Sequence, residues 1–203
     1  FMNSELPPKL HEVVTQKQGV ITQKQALSAG LAPHELSYWT KRGLLMRVQR
    51  GVYQLAEFGG FEHDDLLPVM LRIPKGVLCL MSALAFHALG TFVPTEIHLA
   101  IPRETTRTKP DYPLIVLHRF SDKRYSYGIE EHKAGSGVIR VYSKEKTLAD
   151  MLAYRNSYGL ALFLEALKDY LAGKNKSTWK LLEAAKVCGV EKLMQEYLTV
   201  VLA

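Results

Sequence analysis

Apolar positions recur along this chain at several spacings, and each change of spacing marks a change of element. Leu6, Leu10, Val13 and Val14 stand at helical spacing, which predicts a first helix. Thr22 and Gln25 stand three apart ahead of a short helix over Gln23–Ala29, in the pattern of a capping box, and Gly30 ends it. Leu31 and Ala32 form a tight turn, Pro33 suits the first position of a second helix, and Gly43 ends that helix. Ala32 is a weak N-cap, so the second helix is free to begin one residue later. In it, Leu36 and Trp39 face inward, while His34, Ser37, Tyr38, Lys41 and Arg42 face out. Two short helices joined by a tight turn containing Gly form a helix-turn-helix. Beyond Gly43 the spacing becomes that of strands. Leu44–Val48 and Val52–Leu55, separated by Gln49, Arg50 and Gly51, read as a hairpin, the wing of a winged helix-turn-helix.

The rest of the chain is patterned as a second unit. Gly59 and Gly60 interrupt the pattern and place a boundary there, with a winged helix-turn-helix over 2–58 and a second domain over 59–203. A helix is predicted over 62–72, with Pro68 near its first turn or kinking it. Val77–Leu89 is apolar almost all round and reads as one buried helix ending at Gly90; His87 on it reads as a satisfied core residue. Ile97–Ile101, with His98 alternating outward, and Leu114–Arg119 read as strands. Gly128–Lys133 and Val138–Tyr142 read as a hairpin. Ser143 caps a helix whose inward stripe is Leu148, Ala149 and Leu152, and three more helical patterns follow. The predicted class is α+β: a winged helix-turn-helix, then a mixed α/β domain with a sheet of about four strands and a C-terminal helical bundle.

Charge sharpens this picture more than composition does. The chain has 203 residues and a net charge of +6. Between Gly19 and Leu55, Lys24, Lys41, Arg42, Arg47 and Arg50 are opposed by Glu35 alone, so most of the excess falls on the helix-turn-helix and hairpin. That concentration suits phosphate contact, and the outward residues of a helix laid in the major groove reach base edges. The candidate DNA contacts are Lys24, Ser37, Tyr38, Lys41, Arg42, Arg47 and Arg50. The alternative is a solvated basic face, or a winged fold used for protein contacts. A second basic segment, Arg103, Arg107, Lys109, Arg119, Lys123 and Arg124, reads as a phosphate patch, a partner face or a solvated loop.

Catalytic and metal chemistry find little support. Cys79 and Cys188 lack CxxC spacing and a His at ligand spacing, which predicts buried free thiols and no zinc. Pro110-Asp111 followed by Glu131-His132-Lys133 matches the loose PD…ExK layout of metal-dependent nucleases, where Asp and Glu hold the metal and Lys orients the water. Gly-rich phosphate loops, HExxH and GxSxG elbows are absent from the sequence, so no enzyme activity, metal or cofactor is expected. With no long uncharged apolar run and no signal-peptide pattern, the expected location is the cytoplasm.

Several blocks together carry a family resemblance. They are RGVYQL (Arg50–Leu55), DLLPVMLRIPKGVLCLMSALAFHALG (Asp65–Gly90), HLAIPR (His98–Arg103), HRFS (His118–Ser121), VYSKEKTLADMLAYRN (Val141–Asn156) and GLALFLEALKDYL (Gly159–Leu171). In this order they resemble the AbiEi antitoxins of bacterial type IV toxin–antitoxin systems, linked to abortive phage infection. The resemblance implies a winged helix that represses its own operon by binding inverted repeats in operator DNA. It implies a C-terminal domain that counters a nucleotidyltransferase-like toxin without necessarily forming a stable complex with it. Carried onto this chain, the DNA contacts are the seven residues named above, and no catalytic residues are implied. The alternatives are a toxin-binding module without significant DNA binding, its winged unit serving as scaffold, and, last, a PD-ExK-like metal-dependent nuclease.

Overall fold

The computed structural model describes residues 12, 20–42, 44–55, 66–105, 114–134 and 137–202. The predicted first helix, the Gly59–Gly60 boundary, Gly43, Arg107, Lys109 and Asp111 lie outside the described residues. The architecture is mixed α+β, with two small sheets and short helices. The chain divides into two compact units, one running to Pro74 and taking in Glu131–Ile139, the other comprising Lys75–Glu130 and the chain from Arg140 onward.

The first unit contains β1 (Val20–Thr22), α1 (Gln23–Ser28), α2 (Pro33–Lys41), β2 (Leu45–Gln49), β3 (Val52–Leu55) and α3 (Leu67–Arg72). A lone two-stranded hairpin is marginal in water. Here a third strand, which the sequence pattern did not predict, completes a sheet of order β1-β3-β2. Both pairings are antiparallel. Each helix contributes little apolar surface by itself, since Ala26 is the buried residue of α1 and Leu36 that of α2. Together with Ile21, Leu31, Leu45 and Tyr53, and with Trp39 packed against them, they form one small core.

The second unit contains β4 (Val77–Leu78), β5 (Ile97–Pro102), β6 (Ile115–Phe120), the start of β7 (Ile129–Ala134) and the end of β8 (Gly137–Tyr142), strands of a sheet of order β6-β5-β4-β8-β7; the parts of β7 and β8 between Glu131 and Ile139 count with the first unit. Its helices are α4 (Leu80–Phe86), α5 (Asp122–Ser126), α6 (Lys144–Ala153), α7 (Arg155–Tyr158), α8 (Leu160–Ala172), α9 (Thr178–Cys188) and α10 (Glu191–Leu202). The centre is α6, in which every residue from Lys146 to Leu152 is buried. It packs against α4, α8 and α9.

Two expectations are overturned here. The apolar run from Val77 to Leu89 is not one helix. Val77 and Leu78 form the middle strand β4, antiparallel to β5 and parallel to β8, and α4 begins only at Leu80. Leu80 and Ala88 have φ of 49° and 51°, so the backbone turns sharply at both ends of α4. A run apolar on all sides has no period from which to tell a buried strand from a buried helix, and the added strand makes the sheet five-stranded rather than four. His98 does not face out: it is 1% exposed. The middle four residues of β5 are all buried, because both faces of this strand are covered and alternation does not apply.

The interior of this unit holds two polar arrangements. Asp150 and Lys146, one helical turn apart on α6 and both 0% exposed, form an ion pair. The Arg124 guanidinium donates to the same carboxylate from Nε at 3.0 Å and Nη2 at 2.8 Å. The Cys188 thiol adds a bond at 3.2 Å, and the Lys146 ammonium lies 4.2 Å from the Tyr142 ring centre. Elsewhere, His98 Nδ1 lies 3.0 Å from His118 Nε2, with Tyr158 edge-on to both rings. Burial lowers the His98 pKa, opposed by the negative charge of Glu96.

Removing one partner of a buried ion pair leaves an uncompensated charge. Asp150→Ala is therefore expected to lose about 3–5 kcal/mol of stability, measured by urea denaturation, and Asp150→Leu combined with Lys146→Met to lose less than either single change. For His98 the folded pKa lies below the unfolded one. The unfolded chain then takes up the proton first, so stability falls as pH drops below the ordinary imidazole value near 6.5. The melting temperature of the natural sequence should fall between pH 7.5 and 5.5 by more than that of His98→Gln; equal falls would remove His98 from the account.

Candidate nucleic-acid interface

The interface candidate starts at Thr22, which closes β1 and caps α1. Its hydroxyl accepts from the Gln25 backbone N–H at 3.2 Å, and the Gln25 side-chain oxygen accepts from the Thr22 N–H at 2.8 Å. This is the reciprocal box that the spacing predicts. Lys24 in the first turn is exposed. Gly30, at φ 80°, turns the chain, and Leu31 N–H bonds back to the Ala26 carbonyl.

α2 begins at Pro33, so the weakness of Ala32 as a cap does not delay it. Ala32 has no side-chain oxygen to give, but Glu35 Oε2 accepts the Ala32 N–H at 2.6 Å. The segment's one carboxylate thus serves the helix N-terminus, where negative charge is also favoured by the helix dipole. Leu36 is buried and Trp39 half-buried, while His34, Ser37, Tyr38, Lys41 and Arg42 are exposed. Tyr38, 48% exposed, is held edge-on to Trp39 at 4.7 Å between ring centres, and the Arg42 guanidinium lies 5.5 Å from its ring centre.

The hairpin pairs Leu45 with Leu55, Met46 with Gln54 and Arg47 with Tyr53, then shifts register by a bulge before Gln49 meets Val52. A bulge twists and re-aims the strand that carries it. Arg47 and Arg50 are both exposed. Gly51 has φ 77°, and its carbonyl accepts from Gln23 N–H at 2.7 Å, which ties the hairpin turn to the start of α1. On the preceding residue, the Arg50 carbonyl accepts from Arg72 Nη1 at 2.6 Å.

All seven residues predicted to touch DNA are exposed on this one unit: Lys24 on α1; Ser37, Tyr38 and Lys41 on α2 with Arg42 at its C-cap; Arg47 and Arg50 on the hairpin. Two features escaped sequence reasoning. β1 is only three residues long and too short to show alternation, and Arg72 lies far along the chain, with no local signal linking it to the hairpin turn.

Four residues of the second basic segment are described. Arg103, Arg119 and Lys123 are exposed, but Arg124 is committed to Asp150. Of the nuclease pattern, Glu131 and Lys133 are exposed on β7, whereas Asp111 is outside the described residues. Among the described residues no group of three or more His, Cys, Asp or Glu is arranged to hold a metal. Both cysteines are free thiols. Burial, reinforced by the Asp150 charge, raises the Cys79 pKa and pushes that of Cys188 up to about 12, so neither is a ready nucleophile.

The segment that builds this surface also matches known proteins. Residues 9–56 fit the model of the AbiEi antitoxin family of transcriptional regulators. The AbiEi match takes in both short helices, the turn between them and the hairpin, and supports a regulator or antitoxin role. No curated protein matches the chain. Among solved structures, the RV2827C protein from Mycobacterium tuberculosis is similar in fold, with a TM-score of 0.51 at 16% identity, covering 97% of this chain and 83% of that one. Among the described residues, no helix is long and apolar enough to cross a membrane.

A residue with a Cβ is strained by about 1–2 kcal/mol in the left-handed conformation that Gly51 adopts. Gly51→Ala should lower the stability of the first unit by that amount, read as a loss of thermal stability, with no clash to relieve because the nearest side-chain atom would lie 3.7 Å away.

Proposed function

We propose that this protein is a DNA-binding autorepressor and antitoxin of a type IV toxin–antitoxin system. Its first unit acts as a winged helix-turn-helix, with α2 as the recognition helix and the β2–β3 hairpin as the wing. The observation that carries this reading is the sorting of side chains on α2. Leu36 goes into the core, while Ser37, Tyr38, Lys41 and Arg42 remain in solvent on the helix that follows the turn. A helix of that kind laid in the major groove offers polar groups to base edges and cations to phosphates. Arg47 and Arg50 on the hairpin extend the contact to the adjacent backbone. Operator inverted repeats are the expected target, each half bound by one copy.

In this reading the larger unit serves the antitoxin role and has no catalytic chemistry of its own. Its functional partner is a nucleotidyltransferase-like toxin encoded alongside it, and the setting is cytoplasmic phage defence. The AbiEi match over residues 9–56 and the resemblance of the later blocks support this assignment.

Affinity for a duplex taken from upstream of its own gene should fall steeply with salt. Each phosphate contact removed lowers the slope of log affinity against log salt by about 0.9. Lys41→Ala and Arg50→Ala should each weaken binding and reduce the slope by roughly that amount, read by fluorescence anisotropy. Should both variants bind the promoter duplex as the natural sequence does, at physiological salt, the helix and hairpin are not the contact surface. Co-purification with the neighbouring gene product in the absence of any DNA binding would instead favour a toxin-binding module.

A further inference from the structure

Arg72 lies on α3, beyond the hairpin and outside the residues that the AbiEi model matches. Its guanidinium nevertheless reaches back 22 positions to the main-chain carbonyl of Arg50, at 2.6 Å. The next carbonyl, that of Gly51, is held by the Gln23 N–H at 2.7 Å. Two consecutive carbonyls of the hairpin turn are therefore fixed from two different elements. α3 is itself packed against β1, so the donor is anchored to the same sheet as the turn it holds.

We infer that Arg72 is a positioning residue for DNA contact, acting through Arg50. This rests on the reading of the hairpin as a wing. A charge-assisted bond to the Arg50 carbonyl restricts the main-chain torsions on either side of it. Those torsions decide where the exposed Arg50 side chain begins its path to a phosphate. Preorganising a contact in this way lowers the ordering cost incurred on binding.

A double-mutant cycle with the promoter duplex, and a random duplex of equal length, tests the inference. Arg72→Met keeps the aliphatic stem and removes the donor; Arg72→Lys keeps a donor and the charge. Circular dichroism melts report whether each variant folds. Arg72→Met is expected to weaken binding about fivefold in the natural background, and Arg72→Lys to restore part of that loss. In the Arg50→Ala background, Arg72→Met should change neither affinity nor salt slope, because the side chain being positioned is gone. A merely structural role would cost the same in both backgrounds and overturns the inference. A further fall of about 0.9 in salt slope in the Arg50→Ala background also overturns it, since Arg72 would then be touching phosphate itself. No loss from Arg72→Met in the natural background overturns it as well. If Arg50→Ala alone leaves binding intact, it is the wing reading that has failed, and the two failures are told apart.

Discussion

The first unit depends on a short antiparallel ladder. β1 pairs with β3 through Val20–Gln54, Ile21–Tyr53 and Thr22–Val52, and the Gln23 N–H to Gly51 carbonyl bond continues the contact into the hairpin turn. Thr22 is at once the last residue of that strand and the N-cap of α1. The register of the ladder therefore sets where α1 begins relative to the hairpin, and the core of Ile21, Ala26, Leu31, Leu36, Leu45 and Tyr53 sets how α2 is seated on it. Neither the helices nor the hairpin buries enough apolar surface to persist alone. Joined, they hold seven polar and basic side chains on one scaffold.

The second unit is organised around a different kind of constraint. Its central helix carries two charges with no solvent contact, and the fold satisfies them with Arg124, Cys188 and the faces of Tyr142 and Phe120. Lys146 and Asp150 both lie in the VYSKEKTLAD block, one of those that carry the family resemblance. Physically, much of that block encodes an interior. Ser143 caps α6 by accepting the Lys146 N–H, Thr147 donates to the Tyr142 carbonyl, and Leu148, Ala149 and Leu152 fill the core. A distinctive motif need not be a surface for chemistry; here it is a buried charge arrangement that admits few substitutions, because losing either member strands the other in low dielectric.

Local signals were legible wherever the physics is local. The Thr22–Gln25 box, the turn at Gly30, Pro33 at the first position of α2, the hairpin around Arg50–Gly51 and the Ser143 cap each depend on residues within a few positions of one another. Helical period likewise sorted α2 correctly into Leu36 inside and Ser37, Tyr38, Lys41 and Arg42 outside. Period failed where both faces are covered. Val77–Leu78 hid as a strand inside an apolar run, and His98 was assigned to solvent by an alternation that does not operate in a strand with both faces buried.

Sequence alone determined which polar and basic side chains the first unit exposes and on which short elements they ride, because capping, turn chemistry and amphipathic period act over a few residues. Tertiary structure decided what holds those elements together and what the remaining charges are for. Arg72, among apolar neighbours, and Arg124, in the polar stretch Ser121–Ser126, carry the same side chain and no local mark of its partner. One ends on the Arg50 carbonyl and the other on the buried Asp150 carboxylate. The pairing of a cation with an oxygen 22 or 26 positions away depends on how the chain folds back, and no local pattern encodes that return.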